Sequence, residues 1–349
     1  MTSTDENGTA VTFGVVGLDH GHVVSLVLGL LGAGAECAGY WSETDTPWTD
    51  VVAQQAPHLP RVSESAELLE NPDIDLIVTA AVPARRAEIA VEALRHGKDV
   101  VADKPGAITL DQLAQVRAAV AESGRFWSVA FSERTASRAT LHARRLIEDG
   151  AIGRVVQTLG LGPHHLRPQT RPAWTFDPAL AGGILADLAS HQVDQFLYLT
   201  GSTSAEVVSS SVGNFAHPDR PGFEDFGEML LRSDHAQGYA RVDWYTPDGL
   251  GAWGDVRLTI LGTEGYIEIR KNIDLGGARE GGDHLFLVDG KGTRHLESFD
   301  VELPYFRAVV DDVRHRRTPL TAIPQDLVLT ATELALTAQR DAARLGNLR

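Results

Sequence analysis

Val11-Thr12-Phe13-Gly14-Val15-Val16-Gly17-Leu18-Asp19-His20-Gly21-His22 is an apolar β-rich run, then a turn opening on glycine, then the start of an amphipathic stretch from His22 to Gly32. Strand, turn and helix in that order form the first half of a βαβ unit. The same alternation continues outward from it. Cys37–Trp41 and Ile74–Thr79 read as strands, and a helix over Ala84–His96 follows the second, with Gly97 behind it. Asp99–Ala102 reads as a strand, Leu110–Ser123 as a helix closed by Gly124, and Phe126–Phe131 as a further strand. Apolar strands separated by helices of about 10–15 residues predict a parallel sheet covered on both faces. A Rossmann-type, doubly wound domain over residues 1–131 follows.

The patterning changes after a helix over Ser137–Glu148. Val155–Leu161, Ala205–Asn214, Glu228–Arg232, Gly238–Trp244, Val256–Leu261 and Tyr266–Lys271 alternate apolar and polar residues. A period of two predicts a mostly antiparallel sheet with one covered face. One helix, Gly183–Leu199, interrupts these strands, and helices over Leu303–His315 and Pro324–Leu345 close the chain, placed to pack back on the first domain. The expected fold is α/β followed by α+β, the second domain (132–349) carrying a large sheet flanked by helices.

Composition narrows the function classes. Of 349 residues, 43% are hydrophobic and 22% charged, which is ordinary globular usage and excludes wholesale disorder. A net charge of −16 disfavours nucleic acid and anionic membrane as partners, though it does not exclude a small anion in a local pocket. The single cysteine, Cys37, rules out an internal disulfide and a four-cysteine zinc site. The longest apolar runs are too short to span a bilayer, and the acidic, polar Met1–Thr9 carries no basic leader pattern, so the expectation is cytoplasmic. No G-x-S-x-G or nucleophilic cysteine pattern is visible, and no metal site is expected, because the adjacent His164 and His165 point in different directions.

The first turn departs from a dinucleotide fingerprint, which asks for glycine at 17, 19 and 22. Gly17 complies, Gly21 substitutes in part, and Asp19 stands where bare backbone approaches a pyrophosphate. The helix start still offers N–H groups to an anion. His20 and His22 either touch a phosphate or substrate or form a solvent-facing pair. Trp41-Ser42-Glu43-Thr44 ends the second strand; Glu43 either accepts from the ribose hydroxyls or is a plain loop residue. No Lys or Arg adjoins it in sequence to neutralise a 2′-phosphate, which favours NAD over NADP. Two further places carry chemistry. Asp103-Lys104-Pro105 sets a lysine at a strand end, where it can donate to a substrate hydroxyl or simply face solvent. Gly182-Gly183 open a helix on which Asp187 and His191 share a face, suited to polyol recognition and a proton shuttle, or to an exposed ion pair.

Taken in order, Ala87-Glu88-Ile89-Ala90 through Gly97-Lys98-Asp99-Val100, Asp103-Lys104-Pro105, Leu146–Gly153, Gly-Gly…Asp187…His191 and Gly262-Thr263-Glu264-Gly265 resemble the glucose–fructose oxidoreductase/inositol dehydrogenase (Gfo/Idh/MocA) family. The resemblance implies an NAD(P)-dependent oxidoreductase passing a hydride between nicotinamide and a hydroxyl carbon of a sugar, inositol or related polyol. It implies Lys104 as holder of the reacting hydroxyl, Asp187 as substrate ligand and orienter, and His191 as base. Cofactor contacts would then come from Gly17, Asp19, His20, Gly21, His22, Ser42, Glu43, Pro83, Arg86, Asp103 and Lys104. Substrate contacts would add His164, His165 and Trp174. Asp103 replaces the usual Glu, and Arg86 stands where the family commonly has His; Arg86 reaches a cofactor phosphate or pairs with surface acids. A homodimer or homotetramer is implied. Two other readings keep the fold: a redox-neutral sugar lyase or hydrolase holding NAD tightly, or a non-catalytic ligand-binding relic.

Overall fold

The computed structural model describes residues 10–276, 282–318 and 320–346. They form two compact units: one contains the chain through Ala107, Asp111–Ala130 and Pro304–Val328, and the other Ile108–Leu110, Phe131–Leu303 and the chain from Leu329. The first unit is thus discontinuous, closed by a segment from late in the chain.

In the first unit the elements run β1 (Thr12–Leu18), α1 (His22–Gly32), β2 (Glu36–Trp41), α2 (Pro47–Gln55), the one-turn α3 (Ala66–Leu69), β3 (Leu76–Ala80), α4 (Pro83–Arg95), β4 (Asp99–Asp103), α5 (Leu110–Ser123) and β5 (Trp127–Ala130). The strands are parallel in the order β2-β1-β3-β4-β5. Every residue of β3, β4 and β5 is buried, which is why these strands read as continuous apolar runs rather than alternating ones. The sequence pattern did not mark α2, whose Thr46 forms a capping box with Thr49.

The second unit runs α6 (Ser132–Thr135), α7 (Arg138–Glu148), β6 (Val155–Pro163), α8 (Pro178–Ala181), a π-helical turn (Leu185–Ala189), α9 (Ser190–Thr200), β7 (Glu206–Gly213), β8 (Phe226–Arg232), β9 (Gln237–Asp243), β10 (Val256–Gly262), β11 (Gly265–Lys271), β12 (His284–Asp289) and β13 (Gly292–Leu296). The chain closes with α10 (Tyr305–His315) in the first unit, α11 (Gln325–Asp341) and the short β14 (Ala343–Arg344). The sheet has nine strands in the order β13-β12-β11-β10-β6-β9-β8-β7-β14; β6 with β9 and β14 with β7 are parallel, the rest antiparallel. Val155, Leu258, Ile260, Ile267, Ile269, Leu285 and Leu287 form its covered face, with Ala139 and Ala143 of α7 and Leu199 of α9 packed against them.

The sequence pattern marked no strand after Lys271, whereas β12 begins at His284 and pairs with β13; Met1–Thr9 lie outside the described residues. The closing helix ends at Asp341 rather than Leu345.

What positions the site helix is close approach to glycine on the sheet. A Cβ on Gly238 would come within 2.7 Å of the Phe196 ring, and one on Gly160 within 2.6 Å of Gln192. Phe196 itself is 1% exposed. Phe196→Ala should therefore cost about 3–5 kcal/mol, read as a lower urea midpoint by circular dichroism.

Candidate active site

Strand order reverses between β1 and β3, and ligands of such sheets bind at that switch point, outside the strand C-termini. Gly17 lies there with φ +85°, and a Cβ on it would stand 2.4 Å from the Ala81 Cβ, so both conformation and space call for glycine. The N–H groups of Asp19 and His20 both donate to Ala80 O at 3.0 Å. Helix α1 starts on Gly21 with no capping side chain and no acidic residue in its first turn, so its positive end is available to an anion. An NAD pyrophosphate fits this turn.

The other turn residues behave differently from expectation. The Asp19 carboxylate accepts the Val82 N–H at 3.2 Å. Burial raises its pKa and Glu43 adds to that, while the Val82 bond and Arg86 oppose. His20 and His22 both turn Nδ1 toward Asp103, with the His22 side chain 39% exposed. His20 Nδ1–H donates to Asp103 Oδ2 at 2.7 Å, and His22 Nδ1–H to Asp103 Oδ1 at 2.8 Å. Arg86 does not pair with surface acids; it is buried, and its Nη2 lies 3.2 Å from Asp103 Oδ2. Its Nε donates to Ala81 O at 2.7 Å, and its Nη1 to the carbonyls of Lys104 and Pro105. Asp103 is 0% exposed, and its carboxylate accepts from protein donors. Burial alone would raise its pKa, but His22, Arg86 and His20 together hold the carboxyl well below the usual range. The histidine nitrogens and this carboxylate lie within 4.8 Å of one another, yet the neighbouring guanidinium already supplies the positive charge a metal would bring.

Lys104 follows on β4, buried, with its N–H donating to Asp103 Oδ1 at 2.8 Å and its peptide bond to Pro105 cis. At the end of β2, Ser42 Oγ bonds Thr44 O at 2.8 Å and Glu43 is exposed. A basic residue does reach this edge, contrary to the local sequence: Arg61 bridges to Tyr40 and ion-pairs with Asp45 at 2.6 Å. Pro83 occupies the first turn of α4.

In the second unit, Asp187 sits within the π turn and His191 in the first turn of α9, buried, its ring edge-on to Phe131 at 6.4 Å. Single π turns inside helices recur at functional sites. The turn is anchored by side chains from far along the chain. Glu224 Oε2 accepts the Ile184 N–H at 3.0 Å, Gln339 Oε1 accepts the Leu185 N–H at 2.8 Å, and Gln339 Nε2 donates to Glu224 at 2.9 Å. Gly183 has φ +90°, and a Cβ there would stand 2.3 Å from the Gln339 amide. Gln339 was not recognised as a site residue from the sequence; nothing in its local pattern marks it.

Asp187 lines a small pocket with Trp174, Phe176, Ile184, Phe223 and Trp244. His164 packs edge-on to Trp244 and Trp253, with its Nδ1–H to Gly162 O at 3.0 Å. His165 faces elsewhere, pairing with Asp248 at 2.6 Å.

Residues 11–131 match the model of the oxidoreductase family with an NAD-binding Rossmann fold, and residues 140–268 match the GFO/IDH/MocA C-terminal domain. The chain belongs to the Gfo/Idh/MocA oxidoreductase family. The crystal structure of a candidate oxidoreductase from Erwinia carotovora atroseptica SCRI1043 shares 43% identity, covers 96% of this chain and all of its own, and superposes with a TM-score of 0.92. Levoglucosan dehydrogenase of Pseudarthrobacter phenanthrenivorans is 30% identical over 196 residues, 52% of this chain and about half (49%) of that protein. The scyllo-inositol 2-dehydrogenase (NAD(+)) of Bacillus subtilis is 26% identical over 313 residues, 87% of this chain and 85% of its own. The first domain is thus the NAD-binding Rossmann domain of a Gfo/Idh/MocA enzyme. Among the described residues no helix is long and apolar enough to cross a membrane.

Two outcomes test the Asp103 cluster. Arg86→Met leaves a buried carboxylate short of its cation and should cost about 3–5 kcal/mol in urea unfolding at pH 7. Burial pushes the His20 pKa down to about 4, against the pull of Asp103. Between the unfolded value of about 6.5 and that folded value, the unfolded chain binds a proton the folded chain excludes, so stability falls as pH falls across this window. Thermal scans from pH 7 to pH 4 should show a shallower loss of Tm in His20→Asn than in the parent chain.

Proposed function

We propose that this protein is an NAD-dependent dehydrogenase acting on a hydroxyl-bearing carbon of a sugar, inositol or related polyol. The observation that carries the reading is the Asp187–His191 pair: an ordered π turn delivers the carboxylate to an aromatic-walled pocket, and the buried imidazole follows one turn on. Aromatic walls with two carboxylates, Asp187 and the Glu224 that anchors the π turn, suit the apolar face and hydroxyl edge of a sugar ring. NAD held at the β1–α1 turn would supply the hydride acceptor.

The chain's own residues supply the rest. Lys104, its backbone fixed by Arg86 and Asp103, donates to the substrate oxygen. Asp187 accepts from substrate hydroxyls. As the carbon–hydrogen bond breaks and the hydride leaves with its electron pair, the hydroxyl proton passes to His191, and carbon and oxygen are left doubly bonded. A neutral imidazole offers a ring nitrogen lone pair to take that proton. The inositol and levoglucosan dehydrogenases among the relatives support a polyol or sugar substrate.

Initial rates with NAD across inositols and sugars test this. His191→Ala and Lys104→Ala should each lower kcat/KM by about 10²–10⁴-fold with Tm unchanged. Full turnover by both variants on the best substrate would reject the assignment.

A further inference from the structure

Among the described residues the two buried arginines come with carboxylates, whereas the buried Lys98 is met by the carbonyls of Asn71 and Ile74. Arg86 lies 3.2 Å from Asp103, and Arg134 lies 3.0 Å from Asp194. Arg171 breaks the pattern. It is half-buried, and among the described residues no carboxylate stands within 4 Å of it. Its guanidinium lies over the Trp244 ring at 4.9 Å and the Trp253 ring at 5.1 Å. Nε donates to Leu166 O at 2.9 Å, and Nη2 makes only a long contact of 3.5 Å to His165 O. The side chain is therefore fixed in place while part of its donor fork stays uncommitted.

Its location gives that charge a use. Trp244, on which Arg171 rests, is also a wall of the pocket lined by Asp187. Burial lowers the Arg171 pKa and Arg167 adds to this, while Asp187 is the carboxylate whose field opposes them. Desolvating a guanidinium without a paired anion is unfavourable, and a planar fork beside a substrate pocket matches a carboxylate or phosphate.

We propose that Arg171 is a specificity residue for an anionic substituent, so that the substrate is an acidic sugar or polyol, a carboxylate or phosphate bearer, rather than a neutral one. This rests on the dehydrogenase reading above for the reaction, and on Arg171 alone for the charge.

The test uses the full chain with saturating NAD. Rates are compared for D-glucuronate against D-glucose, D-galacturonate against D-galactose, and D-glucose 6-phosphate against D-glucose. The expected result is a kcat/KM at least tenfold higher for an acid than for its neutral counterpart, with the arm that responds separating carboxylate from phosphate. Arg171→Gln should lower that acid-to-neutral ratio by about 10- to 100-fold, mostly through KM, and Arg171→Lys should restore part of it. A purely structural Arg171 would depress both arms alike and leave the ratio where it was, which overturns the proposal. So would a neutral sugar that outperforms every acid. Shifts in Tm with the same sugars are read in parallel, so that binding is tested without turnover. Stabilisation by an acid that is lost in Arg171→Gln, with no sugar oxidised, supports the anion site while rejecting the dehydrogenase reading. If no acid shifts Tm and none is turned over, the anion site is rejected.

Discussion

Asp103 is a fully buried carboxylate that receives hydrogen bonds from His20, His22 and the Lys104 N–H, with Arg86 against its second oxygen. An ionised group taken out of water at this depth is tolerated only when nearly every lone pair is met, and here it is. The cluster ties three separate pieces of chain at the switch point of the sheet: the turn after β1, the first turns of α4 and the end of β4. Arg86 extends the same set to the carbonyls of Ala81, Lys104 and Pro105. The backbone on which Lys104 stands is therefore an output of this cluster. So is the shape of the turn, since His20 and His22 leave it toward Asp103.

This bears on the missing glycines. A fingerprint rich in glycine lets backbone approach a pyrophosphate because nothing projects. This turn keeps the one glycine that conformation demands, Gly17, and elsewhere turns its side chains inward. Asp19 bonds the Val82 N–H and the two histidines bond Asp103, so the start of α1 remains open although three bulky polar residues flank it. The second unit reaches a similar end by a similar device. Glu224 and Gln339 hold the first N–H groups of the π turn, and glycines on β6, β8 and β9 let the helix sit directly on the sheet. In both units a side chain distant in sequence fixes the backbone beneath a candidate catalytic residue.

That is also where reading the sequence succeeds and stops. Continuous apolar strands with intervening helices identify the parallel sheet, because burial on both faces leaves a local signature; the period of two does the same for β6 to β11. The hairpin β12–β13 was missed because β13 is almost wholly exposed, so no apolar alternation marks it. Asp187 and His191 stood out as candidates because positions four apart on a helix share a face. The partners of His20, His22, Arg86 and Glu224 were not, since each is met by a residue from a different element. The arrival of Arg61 at the edge of β2 has the same cause: a bridge between Tyr40 and Arg61 that no local pattern announces.

Net charge is the last place where a whole-chain number and a local site part company. At −16 the surface as a whole repels anions. That repulsion is long-ranged and is screened within about 8 Å at physiological ionic strength. Arg171 acts at contact, against tryptophan faces and partly out of water, where the effective dielectric is far lower and a single charge counts for more than the remote excess. The bulk charge governs how readily an anion arrives, and the local cation governs whether it stays. An acidic enzyme with a guanidinium beside its pocket that makes no direct ion pair among the described residues is therefore consistent with an acidic substrate, and the composition that disfavours nucleic acid places no bar against a sugar acid.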